Sequence, residues 1–203
     1  KHLSYPYIFN YNKECYCVPE TYQKNCIELY KLSKSNNQWV LDKSLLENIH
    51  AVDSSLIFYN KKWWLFCTRE DRNPNTNLYL FYSDSLSNKF VAHKNNPVKT
   101  NIHSARPAGN IFIIDNVIYR PSQDCSKSYG CKLVINKIDK LSETEFAESI
   151  VKTIEPKKSW NFNRGIHTIN FVSNHVIFDA KKYEFNFPNF RAKLRKKLRS
   201  NSN

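Results

Sequence analysis

Glycine is nearly missing from this chain, three residues in 203, and methionine is absent altogether. The glycine shortage excludes collagen-like and Gly-rich linker architectures, and it means that tight turns must be made by Asn and Asp, which tolerate positive φ. No run of about 18 apolar residues occurs, so the residues carry no membrane-span signal, and no signal-peptide pattern is read. The six cysteines, Cys15, Cys17, Cys26, Cys67, Cys125 and Cys131, form no CxxC pair and no zinc spacing with His, so no metal site is expected and no cofactor is called for. The chain opens in mid-pattern at Lys1-His2-Leu3-Ser4, which reads as a fragment or processed product.

What is abundant is aromatic and β-branched: 13 Phe, 12 Tyr and 4 Trp, with hydrophobic residues at 41%. That composition favours sheets over a helical bundle and excludes disorder for most of the length. Cys15, Cys17 and Cys67 lie in apolar strand-like runs and read as small hydrophobes. Buried, reduced thiols point to a cytoplasmic protein, or one peripheral at the cytosolic side of a membrane. Cys125 and Cys131 flank Ser126-Lys127-Ser128-Tyr129-Gly130, and a disulfide closing that loop stays open.

A phrase recurs four times: a polar motif, an apolar strand, a short polar turn and a second apolar strand. It runs from Ser4-Tyr5-Pro6 through the turn Asn12-Lys13 to Glu20, from Val52-Asp53-Ser54 through Asn60-Lys61-Lys62 to Glu70, from Ala105-Arg106-Pro107 through Asp115-Asn116 to Gln123-Asp124, and from Ile166-His167-Thr168 through Ser173-Asn174 to Asp179. Tyr5, Asp53, Arg106 and His167 follow one another at intervals of 48, 53 and 61 residues, about the length of a propeller blade. Further strand-like pieces, such as Cys26 to Tyr30 and Leu78 to Tyr82, complete four-stranded blades. The fold expected is an all-β propeller over residues 1–182, with blades starting near 4, 52, 105 and 166; a β-sandwich is the competing architecture.

In a hairpin the start of one strand lies beside the end of the next. Tyr5 should therefore neighbour Glu20, Asp53 should neighbour Glu70, Arg106 should neighbour Asp124, and His167 should neighbour Asp179. With inner strands ringing a channel, these pairs gather at one mouth. The candidate catalytic carboxylates are Asp53, Glu70 and Asp124, since paired carboxylates can cleave a glycosidic bond. The candidate ligand-binding residues are Glu20, His103, Arg106, Arg120, Gln123 and His167, types that suit hydroxyl-rich ligands or a phosphate. Each also has a structural reading, in capping turns or pairing charges at strand ends.

The phrases Ser104-Ala105-Arg106-Pro107-Ala108-Gly109, Tyr119-Arg120-Pro121-Ser122-Gln123-Asp124-Cys125, Trp63-Trp64-Leu65-Phe66-Cys67-Thr68 and Gly165-Ile166-His167-Thr168 resemble the N-terminal propeller domain of glucosamine inositolphosphorylceramide transferase and its bacterial relatives. The resemblance covers residues 1 to about 180. It implies a five-bladed propeller similar to the arabinanase and invertase hydrolases, with about four blades in this chain. It also implies a setting in glycolipid or surface-polysaccharide assembly beside a transferase domain, and the expected partner is a glycan or sugar-containing ligand, with a lipid- or nucleotide-linked form left open. In those hydrolases the first blade supplies an Asp, and this chain starts at what resembles the second blade. Three functions therefore stay open: a carbohydrate-recognising propeller, an arabinanase-type glycoside hydrolase, and an inert scaffold.

Net charge is +13, but Arg191, Lys193, Arg195, Lys196, Lys197 and Arg199 crowd into nine residues of the segment 183–203. The body is only mildly basic, so nucleic acid is not an expected partner. Phe187, Phe190, Leu194 and Leu198 fall on one stripe of a helix surrounded by cations, so 187–199 is expected to be a short basic amphipathic helix. Such a helix can lie on an anionic membrane or pack its stripe on the propeller.

Overall fold

The structure, a computed structural model, describes residues 3–172 and 175–183. The predicted helix at 187–199 and the turn at Ser173-Asn174 lie outside the described residues. Four antiparallel sheets follow one another along the chain. The first holds β1 (Ser4–Tyr11), β2 (Glu14–Glu20), β3 (Cys26–Leu32) and β4 (Trp39–Glu47), in that order. The second holds β5 (Ala51–Tyr59), β6 (Lys62–Arg69), β7 (Asn77–Ser83) and the short β8 (Val91–Ala92), with β9 (Lys99–Thr100) also paired to β7. The third is β10 (Phe112–Ile114), β11 (Val117–Asp124), β12 (Lys132–Leu141) and β13 (Phe146–Ile154), and the fourth is the hairpin β14 (Ile169–Val172) and β15 (His175–Phe178).

The hairpin turns are made as the glycine shortage requires. Asn12 and Lys13, Asn60 and Lys61, and Asp115 and Asn116 all carry positive φ, between 48° and 63°. Two consecutive left-handed residues give the type I′ geometry whose twist matches that of paired strands.

Successive sheets bury their faces on one another. Trp63, Leu65 and Cys67 face the first sheet, packing with Val18, Leu29 and Leu45. Trp64 and Phe66 face the other way, against Ile111, Ile118 and Ile138 of the third sheet region. Both faces of β6 are covered, which is why Trp63 to Cys67 reads as an unbroken apolar run instead of alternating. Leu133 and Ile135 then pack on Ile166 and Ile169, joining the third sheet to the fourth.

The third copy of the repeat departs from its siblings. The phrase beginning at Ala105 does not start a ladder strand; β10 begins only at Phe112. Pro107 has no N–H to give, and the segment instead bridges outward. Ala108 N–H donates to Pro121 O (3.1 Å) and Ala108 O accepts from Ile169 N–H (2.8 Å), so residues 105–109 stitch the third sheet to the fourth. Gly109 sits there at φ +113°, and a Cβ on it would collide with the Ile169 carbonyl.

Candidate functional site

The opening residues of the repeat take an unusual backbone. Tyr5 (φ 45°) and Asp53 (φ 53°) occupy equivalent positions in β1 and β5, each inside a ladder irregularity, between Ser4 and Tyr7 and between Val52 and Ser55. A bulge re-aims the side chain it carries. Here two bulges turn Tyr5 and Asp53 into the same cavity, of about 380 Å³, lined by Ser4, Tyr5, Pro6, Glu20, Asp53, Arg106, Tyr129, His167, Thr168 and Asp179. Four copies of the repeat thus contribute to one wall-to-wall site.

Asp53 is its centre. Only 2% exposed, it accepts at Oδ2 from Arg106 Nε (2.5 Å) and from Gln123 Nε2 (3.1 Å). Gln123 is itself anchored by donating to Pro107 O (2.9 Å). Burial pushes the Asp53 carboxyl up, with the Arg106 guanidinium acting against it. Arg106 loses solvation too, but its neighbours Asp53 and Tyr129 outweigh that and hold it charged. Its Nη1 donates to Asn75 Oδ1 (3.0 Å), and the Tyr129 ring lies 4.6 Å from the guanidinium carbon.

Glu20 stands beside Asp53. Its carboxylate accepts from Ser4 Oγ (3.0 Å) and from the backbone N–H of Asp53 (3.3 Å). Burial and the Asp53 charge push it upward. His167 Nδ1 and the Asp179 carboxylate meet across the fourth hairpin, and Asp179 Oδ1 also accepts from the backbone N–H of His167 (3.1 Å) and Thr168 (2.7 Å). Desolvation would raise the Asp179 carboxyl, but these bonds more than offset it and the net shift is downward.

Beneath the cavity, the Tyr5 hydroxyl, Ser55 Oγ and Gly109 form a hydrogen-bonded bar between inner strands. Beyond it, where β1 and β5 continue, lies an apolar groove of about 710 Å³ lined by residues such as Tyr7, Phe9, Leu56 and Phe171.

Of the predicted site residues, Glu20, Asp53, Arg106, Gln123 and His167 meet here. The predicted neighbour pairs Tyr5 with Glu20 and His167 with Asp179 hold, the first through Ser4 opposite Glu20. Others do not. Glu70 lies one residue past the end of β6 and is exposed: the ladder sets Val52 opposite Thr68 and Ala51 opposite Arg69, and the Glu70 N–H donates to His50 O (2.9 Å), beyond the reach of Asp53. Asp124 does not meet Arg106. Arg106 gives its backbone carbonyl to Gln123 N–H (2.8 Å) and its charge to Asp53, while Asp124 pairs with the exposed His103 (3.3 Å) outside the cavity lining. Arg120 is wholly buried away from the cavity: it binds Glu148 through Nε (2.8 Å) and Nη2 (2.5 Å) and holds the carbonyls of Ser104 and Ala105. Asn75 and Tyr129 were missed. Both sit in loops between strands, where no periodicity marks them, and Tyr129 had as its only signal a place between two cysteines. The six cysteines are free.

Sequential antiparallel blades whose inner strands converge on one polar cavity define a β-propeller fold, which family-43 glycoside hydrolases of known structure share. The structure superposes on an α-L-arabinofuranosidase from Clostridium thermocellum with a TM-score of 0.61 at 14% identity, covering 91% of this chain and 65% of that one. It matches a β-xylosidase, RS223, with a TM-score of 0.62 at 13% identity, covering 87% and 70%. At such identities the likeness is one of fold alone. Residues 1–180 match the family model "Glucosamine inositolphosphorylceramide transferase 1, N-terminal", and the chain belongs to that family. It is 38% identical over 176 residues to the glucosamine inositolphosphorylceramide transferase 1 of Oryza sativa subsp. japonica, and 34% to that of Arabidopsis thaliana. The aligned part is 82% of this chain but only 24% and 23% of those proteins, so the chain spans about a quarter of their length.

Proposed function

We propose that this propeller recognises a carbohydrate in its polar cavity and serves glycosyl transfer in glycolipid or surface-polysaccharide assembly. The observation that carries the reading is the buried Asp53–Arg106 pair, held by Gln123 and Asn75 and faced by Tyr129, in a cavity that also presents Glu20 and His167. Small-ligand sites of about 300–1,000 Å³ commonly combine fixed polar groups with an aromatic surface, and a pre-bound set of donors and acceptors reads hydroxyls without reorganising. The family supplies the setting, since its members are named for glucosamine inositolphosphorylceramide.

Recognition is favoured over hydrolysis because each carboxylate of the cavity is already engaged. Glycosidases place two carboxyls about 5–10 Å apart on opposite sides of the bond to be cut. Here Glu20 and Asp53 share one wall, and Asp179 is held by His167 and two backbone amides. The upward push on Glu20 favours a second reading, a general acid in glycoside processing. A glycan array carrying hexosamines and inositol phosphates, probed with the wild-type chain and with Arg106→Lys, tests the proposal. Binding that falls at least about tenfold in the variant is expected, since a guanidinium that bonds Asp53 and Asn75 at once and lies over the Tyr129 ring is not replaced by the point charge of Lys. Equal binding by both, or binding by neither, refutes it. Turnover of aryl glycosides that disappears in Glu20→Gln would establish the second reading instead.

A further inference from the structure

The loop that carries Tyr129 is bracketed by two thiols, and the ladder beneath it brings them together. The final rung of the β11–β12 pairing is Asp124 opposite Lys132, so Cys125 and Cys131 are the next residues on the two strands. They lie just past a rung whose opposed Cα atoms stand about 4.5–5.5 Å apart, so the two thiols start from a separation close to the range of about 4.4–6.8 Å that a disulfide spans. The chain stays tight at that point: Cys131 N–H donates to Asp124 O (3.0 Å), and Cys131 Sγ contacts the same carbonyl (3.1 Å). Cys125 is 6% exposed and Cys131 is half-buried.

Between them, residues 126–130 reach the cavity. Tyr129 covers the Arg106 guanidinium, Lys181 donates to the Tyr129 carbonyl, and Gly130 (φ +57°) packs so closely on His167 that a Cβ would strike its side chain. The position of this loop therefore sets how Arg106 and His167 are presented.

We propose that Cys125 and Cys131 are a disulfide-forming pair, and that their oxidation locks the Tyr129 loop over Arg106. With a small disulfide such as oxidised glutathione as oxidant, the more accessible Cys131 attacks as thiolate. One glutathione thiolate leaves, and a mixed disulfide remains on Cys131. Cys125 then loses its proton and attacks the Cys131 sulfur, forming the internal bond and releasing the second glutathione. Burial pushes the Cys125 thiol up, which suits the slower resolving role. The pairing does not depend on what the cavity binds; only its effect on a ligand rests on the carbohydrate reading.

The test treats the full chain with glutathione disulfide, maps the products by non-reducing peptide mass spectrometry, and follows hydrogen exchange of the loop amides. Expected are a crosslinked 125–131 peptide lacking two hydrogens, a stalled glutathione adduct on Cys131 in Cys125→Ser, and exchange at 126–130 slowed about tenfold in the oxidised wild type. No reaction, glutathione adducts without a crosslink, a crosslink to another cysteine, or a 125–131 crosslink that leaves loop exchange unchanged would overturn the proposal. The wild-type mapping needs no variant to fold.

Discussion

Replacing Arg106 by Met removes the cation from a carboxylate that is almost wholly shielded from water. The Asp53 side chain is 3% exposed and that of Arg106 10%, so the variant leaves Asp53 buried with Gln123 as its remaining side-chain donor. Breaking one side of a buried pair costs about 3–5 kcal/mol, whereas replacing both partners by neutral groups of similar shape is far milder. Arg106→Met should therefore lower the urea midpoint by roughly 1–2 M, and Asp53→Asn/Arg106→Met should recover a large part of that. The four tryptophans provide the fluorescence signal. A pH dependence accompanies the loss. Burial holds the folded Asp53 carboxyl above its unfolded value, so the folded state binds the extra proton, and stability falls as pH rises through the interval between the two values. Without the guanidinium, which pulls Asp53 downward, that interval extends to higher pH. The single variant should stand nearest to wild type in acid and furthest from it near neutrality. Strictly additive single effects, a loss under about 1 kcal/mol, or a loss as large at pH 5 as at pH 8 would refute the reasoning.

Gly109→Ala combines a strained φ with a collision on the Ile169 carbonyl, and it should destabilise by about 2–4 kcal/mol, with exchange of the Ile169 amide rising first as 105–109 detaches from the fourth sheet. Asp179 is held below its unfolded value, so the stability it contributes is present above that value and is lost as pH falls through the folded one. Asp179→Asn should flatten the acid limb of a stability-versus-pH curve, and an unchanged acid limb would show that the His167 pair contributes nothing.

The β-propeller architecture was legible because it rests on local, periodic signals. Asn and Asp at the turns, apolar runs of fixed length, and a polar phrase returning every 48 to 61 residues are written in the chain, and the hairpins form where those signals place them. The site was half legible. Glu20, Asp53, Arg106 and His167 were found because the repeated phrase places each at the opening or closing of a hairpin segment, and these segments converge on the cavity. Glu70 was misplaced because the β5–β6 register closes the hairpin on Thr68 and Arg69, and Asp124 because residues 105–111 form no ladder strand and Arg106 comes beside Gln123 instead.

Composition, turn chemistry and the repeat by themselves determined that this is a sheet protein of successive blades whose polar phrases lie at strand ends. Only the tertiary structure decided how the charges pair. Arg106 found Asp53 across 53 residues, Arg120 found Glu148 in the interior, and Tyr129 came over Arg106 from a loop. Two arginines in similar strand contexts look alike along a chain, since backbone periodicity is a local property. Which one is desolvated beside which carboxylate depends on how whole sheets pack.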